Sequence, residues 1–500
     1  MRGCWAAADL VLLCLSALLF GFSFPNYFFT QGVPFCAWGC ALPLFYVLAG
    51  RPLRQRLMAG LIWGLLAHGL LMTGLFSVSV GGWFLLALAL ALQGIFFAAF
   101  YPPLVLHPFI KFLFLPSAWV VSEWIRSWIL GGFVWGLGYS QGGVPLIIQP
   151  ASWGGVYAVS WLVVAVNAAV YLGILSFCAQ ERRRGWFVLL VAVWVVTGTA
   201  VFGVIRLGTV SGTAGYGRVA VVQPNIASMD KPREDLYAVH AARHLALTEQ
   251  VARTAHLGAK DVVVWPETSF PDDILTDNVW RPRLERAAQD LGVNLLVGSA
   301  LLRGGKDYNS ALLLSAGGQW PAVYDKQHLV PFCEFTPSGM GFMGIGRYHF
   351  EAGSRPGLMT LPVGRVFGLA ICSEEFYPGL FRAMVRGGAG FAVVMLNDGW
   401  FARPEALFMH ALAAPLRAVE TGLPVVRAAN TGRTCAFDGA GRLLDGEIKV
   451  QRLGVSAYEL PVAEGRTFYA QYGDIFAMAC ALFVIIFLVQ RKGRAVYAVG

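Results

Sequence analysis

Three side chains in this sequence have the chemical types that acyl chemistry needs, and two of them directly follow predicted strands. Residues 366–371 form a predicted buried strand that runs into Cys372, which places the thiol at the edge of a sheet. A thiol is a usable nucleophile only when a neighbour takes its proton or favours the thiolate. Glu267 has a carboxylate for that task, and Lys326 could stabilise an oxyanion. These residue types predict a Cys–Glu–Lys site, although each one alone is more typical of a structural thiol or a solvated charge.

The region around these side chains alternates between short β-branched strands and polar helices. Strands are predicted at 218–223, 261–265, 293–299, 310–315, 366–371, 391–396 and 424–428, and helices up to about 255 and over about 404–421. This alternation is typical of an α/β layered domain. Because such folds place their sites where strands end, the polar side chains that follow the strands are the candidates for function.

The rest of the chain is too apolar for a soluble protein. The whole sequence is 57% hydrophobic and 13% charged, whereas a globular domain has about 45–50% and about 25%. Runs long enough to cross roughly 30 Å of hydrocarbon lie at 8–25, 33–50, 57–78, 82–106, 109–131, 153–178, 186–206 and 474–490. We therefore predict a polytopic α-helical membrane domain of seven spans over residues 1–206. An extramembrane α/β domain follows over 207–473, and a last span with a basic tail over 474–500.

The basic residues predict how these spans are oriented. They cluster in every second loop, at Arg51, Arg54, Arg56, Lys111, Arg182, Arg183, Arg184, Arg491, Lys492 and Arg494. The alternate loops, 26–32, 79–81 and 132–152, carry no charge. The positive-inside rule then places both termini in the cytoplasm and residues 207–473 outside. Residues 207–490 carry a net charge of −1, so the basic balance reflects orientation and predicts no nucleic-acid partner.

Two further sets of residues are of types that can take part in chemistry. Glu123 and Arg126, three positions apart in the fifth apolar run, could pair on one helix face. A structural pair is the simpler interpretation, although an ionisable group within a span is often functional. The nine cysteines show neither a disulfide framework nor metal-ligand spacing. No metal or nucleotide motif is visible in the sequence either, so we expect no metal and no cofactor.

The segments around the three candidate residues resemble the motif set of the nitrilase superfamily. They are residues 261–271 (DVVVWPETSFP), 324–337 (YDKQHLVPFCEFTP), 369–376 (LAICSEEF) and 396–401 (LNDGWF). The resemblance is closer still to a membrane branch, the apolipoprotein N-acyltransferase family, which also places several spans before a nitrilase-like domain and one span after it. It implies a nitrilase-like αββα sandwich for the extramembrane domain.

The resemblance also implies a role for each matching position. Glu267 would be the general base, Lys326 the cation that stabilises the oxyanion, and Cys372 the nucleophile. Supporting positions would be Glu334, Glu374 and Asn397. Cys333 stands where the family usually has Gly, and Ser373 stands where it usually has an aromatic residue. The resemblance therefore does not define the shape of the pocket at these two positions.

The family's activity is implied in the same way. An ester of a membrane phospholipid would acylate Cys372, and the thioester would then acylate the α-amine of an N-terminal S-diacylglyceryl-cysteine on an apolipoprotein. The resemblance places the protein in the bacterial inner membrane, with the catalytic domain in the periplasm. Two alternatives are a membrane-tethered nitrilase-type amidase and a catalytically silent binding or transport protein. Eight predicted spans favour a lipid-phase substrate, and the complete Glu–Lys–Cys set argues against a silent protein.

Further residues are candidates for contacts with substrate. The segment 338–349 combines four glycines with Met340, Phe342 and Met343 and could gate the site, or could be an ordinary flexible loop. Ser373 and Trp400 could line an acyl pocket, although core packing is at least as good an interpretation for the aromatic ring.

Overall fold

The computed structural model describes residues 6–77, 80–102, 107–209, 214–227, 229–231, 233–336, 349–401, 403–462 and 466–497. The chain divides into two compact units. The first contains Met1–Thr209, Phe408–Leu412 and Tyr472–Gly500, and the second contains Val210–Leu407 and Ala413–Gln471.

Helices and strands follow one another along the chain as expected for a helical region followed by an α/β region. The helices are α1 (Ala7–Phe22), α2 (Leu42–Leu48), α3 (Leu53–Leu71), α4 (Val80–Phe100), α5 (Pro108–Ile129), α6 (Pro145–Ile148), α7 (Ala151–Cys178), α8 (Arg182–Thr209), α9 (Glu234–Thr254), α10 (Trp280–Leu291), α11 (Pro378–Arg386), α12 (Pro404–Ala411), α13 (Ala413–Thr421), α14 (Phe468–Tyr472) and α15 (Ile475–Tyr497). The strands are β1 (Ala214–Gln223), β2 (Val262–Val264), β3 (Asn294–Arg303), β4 (Lys306–Leu314), β5 (Ala322–Asp325), β6 (Leu358–Thr360), β7 (Val366–Ile371), β8 (Ala392–Leu396), β9 (Val425–Ala429), β10 (Cys435–Phe437) and β11 (Gly454–Pro461).

Helix is found in each of the eight apolar runs of the first unit. Among the described residues, α4, α7 and α8 are long and apolar enough to cross a bilayer by themselves. The second run differs from the expected single span, because a short 3-10 turn at Pro34–Trp38 precedes α2. The side chain of Asn167 in α7 compensates for this break, since it donates to the carbonyl of Ala37 at 3.0 Å and accepts from the amide of Ala41 at 2.9 Å.

The two charged residues of α5, Glu123 and Arg126, are both buried in the helical unit. The possible pairing of these two residues is not observed among the described contacts. Arg126 instead donates to the side-chain oxygen of Gln93 at 2.5 Å, and Glu123 accepts from the indole of Trp119 and the amide of Leu137, both at 2.8 Å. Gln93 also lies 3.4 Å from Glu123, so an amide stands between the two charges.

Two sheets face each other in the second unit. The first sheet has the order β11-β1-β2-β3-β4-β5, and the second has the order β10-β9-β8-β7-β6. Side chains from both sheets form one buried cluster, in which Val221 and Val264 of the first sheet lie with Leu369 and Val393 of the second. Strand residues of the opposite face pack against helices, because successive side chains in a strand point to opposite faces. Helices α9 and α10 cover the first sheet and α11 and α13 cover the second, which confirms the αββα sandwich.

The direction of the strands brings the candidate residues to one end of each sheet. Strands β1, β2 and β3 are parallel, and so are β7, β8 and β9. Glu267 follows β2, whereas Cys372 and Asn397 follow β7 and β8 directly. The outer strand β11 pairs antiparallel with β1, with Arg218 opposite Glu459.

The structure corrects the predicted helix over about 404–421. Two helices, α12 and α13, occupy this stretch. Pro415 lies in the first turn of α13 and has no amide to donate to the carbonyl four residues earlier, so the backbone cannot continue as one regular helix. Helices α10 and α11, the short strands β5, β6 and β10, and the longer strand β11 were not predicted.

Candidate active site

The thiol of Cys372 stands on a sharp turn at the end of a buried strand. Strand β7 is apolar and almost fully buried, and a 3-10 turn, Cys372–Phe376, begins where it ends. Cys372 has a φ of 54°, in the left-handed region that residues with a Cβ seldom adopt. Such strain persists only where the surroundings impose it. The turn therefore fixes the direction in which the thiol points.

Glu374 holds this turn in place. Its carboxylate accepts from the backbone amide of Ile371 at 2.7 Å, and thereby closes the first turn. It also accepts from the amides of Gln327 and His328 at 2.7 and 3.1 Å, and from the hydroxyl of Tyr324 at 2.9 Å. Burial raises the pKa of Glu374, and the backbone donors oppose that rise. This carboxylate joins the turn of Cys372 to the segment that carries Lys326.

Glu267 lies just beyond β2, with only 6% of its surface exposed. One carboxylate oxygen accepts from the side-chain amide of Asn309 at 2.8 Å, and the other accepts from the backbone amide of Asn397 at 2.9 Å. Thr268, the next residue, has a φ of 47°. The carboxylate is thus oriented by donors from both sheets.

Lys326 follows β5 and is 1% exposed. Its ammonium lies 2.9 Å from one oxygen of Glu334 and 3.5 Å from Glu267. Burial by itself lowers the pKa of Lys326, but the two carboxylates outweigh it, so the pKa lies well above its ordinary value. Glu334 also accepts from the amide of Val330 at 2.8 Å. Lys326 is therefore a permanent cation held between two carboxylates.

The charges of this cluster act on the nucleophile. Burial raises the pKa of the Cys372 thiol well above its ordinary value, the charge of Glu267 raises it further, and Lys326 opposes the rise. A thiol in this state needs a base at the moment of attack, because little thiolate is present beforehand. The structure brings together the carboxylate, the cation and the thiol that the sequence analysis singled out. The arrangement suits nucleophilic attack on a carbonyl, with a proton acceptor and a fixed cation at hand.

Asn309 belongs to this cluster but was not predicted from the sequence. It lies within β4, is 2% exposed, and its amide donates to Glu267 at 2.8 Å and to Glu334 at 2.9 Å. The sequence offers only a weak signal, a polar residue just before the predicted strand 310–315, in the polar first half of β4. That signal becomes specific only when the sheet register places it beside two carboxylates.

Two more buried polar residues hold the loops around Glu267. Lys231, which follows β1, donates to the carbonyl of Glu267 at 2.9 Å. Asn430, which follows β9, donates to the carbonyl of Ile226 at 2.7 Å and to the side chain of Asn397 at 3.1 Å. Neither residue was predicted, because each contacts loops that are distant in the sequence.

The candidate residues for substrate contacts differ in where the structure places them. Ser373 shares the turn of Cys372, and its hydroxyl has no hydrogen-bond partner among the described residues. Trp400 lies partly exposed in the 3-10 turn Asp398–Trp400 that follows β8. Met340, Phe342 and Met343 lie outside the described residues.

Two family patterns and a set of named proteins match this chain. Residues 218–467 match the carbon-nitrogen hydrolase family, and residues 16–169 match the apolipoprotein N-acyltransferase N-terminal domain. An apolipoprotein N-acyltransferase of Geobacter metallireducens is 32% identical over 501 residues, covering 94% of this chain and 93% of that protein. One of Methylococcus capsulatus is 32% identical over 396 residues, covering 77% and 75%. A mutant amidase of Nesterenkonia AN1, from the nitrilase superfamily, is 22% identical with a TM-score of 0.39, covering 52% of this chain and 94% of its own.

Proposed function

Because the chain belongs to the apolipoprotein N-acyltransferase family, we propose that it transfers an acyl chain from a membrane phospholipid to the N-terminus of a lipoprotein. The observation that carries this proposal is the match to acyltransferases over almost the whole chain, helical part included. A nitrilase-type amidase would account for the α/β unit alone. The acceptor is the α-amine of an N-terminal S-diacylglyceryl-cysteine.

In the first half-reaction Cys372 attacks the ester carbonyl of the phospholipid. Glu267 takes the thiol proton as the sulfur–carbon bond forms, and Lys326 stabilises the negative charge on the carbonyl oxygen. When the tetrahedral intermediate collapses, the ester bond breaks and Glu267 returns the proton to the leaving alkoxide. The products are a lysophospholipid and a thioester on Cys372. The contacts of Glu267 with Asn309 and Asn397 support this role, since they orient the carboxylate before substrate arrives.

In the second half-reaction the neutral α-amine attacks the thioester. Glu267 takes a proton from the nitrogen and delivers it to the departing thiolate, which restores the thiol and releases the amide. An amine reacts readily with a thioester and poorly with an ester, which gives the covalent intermediate its purpose. Two products leaving in turn predict ping-pong kinetics.

The proposal extends to the place of the protein in the cell. A phospholipid donor and a lipid-modified acceptor both reside in a membrane, which accords with the apolar helices α4, α7 and α8. We place the enzyme in the bacterial inner membrane as a multi-pass protein with seven spans before the catalytic domain and one after it. The alternation of basic and uncharged loops supports a periplasmic catalytic domain and cytoplasmic termini.

Mass spectrometry of the purified full-length protein tests this mechanism. After incubation with phospholipid vesicles, we expect one acyl chain on Cys372, removed by neutral hydroxylamine, and none on Cys372→Ser. Cys435→Ser is the matched control, because that thiol is buried in β10 within the same unit and should leave the adduct unchanged. A folded wild-type protein that never becomes acylated contradicts the mechanism.

A further inference from the structure

A buried lysine outside the Glu–Lys–Cys set contacts the backbone of the proposed base. The ammonium of Lys231 donates to the carbonyl of Glu267 at 2.9 Å and to the carbonyl of Thr268 at 3.2 Å. Lys231 is 8% exposed and lies between β1 and α9. Two consecutive carbonyls therefore converge on one cation from a neighbouring loop.

The backbone at Glu267 needs such a contact. Thr268 has a φ of 47°, which turns the chain sharply away from the direction of β2. The next strand gives little room for adjustment, since a Cβ on Gly298 would come within 2.6 Å of the carbonyl oxygen of Pro266. The hydroxyl of Ser269 donates back to Pro266 at 2.6 Å. The turn is thus tightly wound, and Lys231 is the charged group that holds its carbonyls.

A buried ammonium is an expensive way to satisfy two carbonyls. Removing a charge from water costs several kcal/mol unless a partner compensates. The compensation here is incomplete, since burial lowers the pKa of Lys231 to about 7, even though the charge of Glu267 opposes the shift. The ammonium is therefore kept buried at a cost, in contact with the two carbonyls beside the proposed base, which points to a role in the site.

We propose that Lys231 is a positioning residue for Glu267, which sets the direction of the carboxylate by holding the carbonyls of Glu267 and Thr268. The inference rests on the proposed function in that Glu267 acts as the base. Lys231 touches no reacting atom and works only through Glu267.

Two readouts on the full-length protein test this role. The first is the rate at which phospholipid acylates Cys372, which we expect to fall about tenfold in Lys231→Met because the base is displaced. Lys231→Gln retains a donor without the charge and should lose less. Lys306→Met is the matched control, since that lysine is exposed and pairs with Glu351 on the surface; its rate should equal that of the wild type.

The second readout needs no lipid and separates this inference from the proposed function. The pH dependence of Cys372 alkylation by iodoacetamide is measured by peptide mass spectrometry in a double-mutant cycle. Glu267→Gln removes the negative charge that acts on the thiol, so the midpoint moves to lower pH. Lys231→Met should also move the alkylation midpoint to lower pH, because the displaced carboxylate acts less strongly on the thiol. It should have no effect when added to Glu267→Gln, since that variant no longer carries the charge.

The outcomes of the cycle are distinct. An equal effect of Lys231→Met with and without Glu267→Gln overturns the inference, as does no effect in either background. If Lys231→Met does not fold, the same cycle with Lys231→Gln decides the matter. A wild-type protein that alkylates normally but never acylates leaves the cycle readable and refutes the proposed function alone.

Discussion

Replacing Asn309 by Asp changes one heavy atom of the site and places a third carboxyl group at its centre. The amide nitrogen of Asn309 lies 2.8 Å from Glu267 and 2.9 Å from Glu334. Lys326 neutralises one of these two carboxylates, so one net negative charge faces the new carboxyl. At about 2.9 Å and an effective dielectric constant of about 20, the repulsion between two carboxylates is about 6 kcal/mol.

A carboxyl can avoid this repulsion by keeping its proton. At pH 7 that costs about 4 kcal/mol, because the usual pKa of Asp is about 3.9 and each pH unit is worth about 1.4 kcal/mol. The proton therefore stays on in the folded Asn309→Asp protein at pH 7. The folded state then binds one proton more than the unfolded state above about pH 4, so the stability of this variant falls by about 1.4 kcal/mol for each pH unit of increase.

Thermal unfolding followed by tryptophan fluorescence in detergent measures this slope. We expect Asn309→Asp to melt about 4 °C below the wild type at pH 5 and about 12 °C below it at pH 7. Asn278→Asp makes the same chemical change at an exposed position, and its melting temperature should follow the wild type at both values. A deficit for Asn309→Asp that is equal at pH 5 and pH 7, or smaller at pH 7, refutes the reasoning.

Two further substitutions probe the same cluster. Lys326→Met leaves Glu267 and Glu334 buried without their shared cation, so we expect a loss of about 3–5 kcal/mol in unfolding free energy at pH 7. A loss below about 1 kcal/mol, the size expected of an exposed ion pair, contradicts the assignment. Glu374→Gln turns a donor toward the backbone amide of Ile371, and should cost about 1–3 kcal/mol and slow the acylation of Cys372. Unchanged acylation by Glu374→Gln shows that the turn keeps its shape without this carboxylate.

Local patterns in the sequence were sufficient for the residues that end strands. Cys372 and Asn397 directly follow apolar β-branched runs, and the αββα arrangement follows from the family resemblance with the correct chain order. The predicted chemistry depended on the residue types at the ends of these strands. The distances between the side chains of the site could not be predicted, because the two sheets bring together residues more than 100 positions apart in the sequence, such as Glu267 and Asn397.

The residues that orient the site could not be predicted from the sequence. Asn309 is one polar residue within a strand, and its function appears only when β4 lies between β3 and β5. Lys231 lies on an irregular loop, where a lysine is normally solvated. At Glu123 and Arg126 the sequence suggested a contact that is not observed among the described residues. Their helical spacing is that of a pair, but the side chain of Gln93 from α4 contacts both of them instead. In each case the deciding partner comes from another element.

The pairing of β1 with β11 has a consequence for how such a protein can arise. These strands are the first and the last of the α/β unit, so the chain enters and leaves that unit at neighbouring positions. The carbon-nitrogen hydrolase match begins in β1 and ends shortly after β11. A domain whose two ends lie side by side can be inserted into a host chain without disturbing either fold. The helical unit takes most of its residues from both sides of the α/β unit, Met1–Thr209 and Tyr472–Gly500, which is the arrangement that such an insertion leaves.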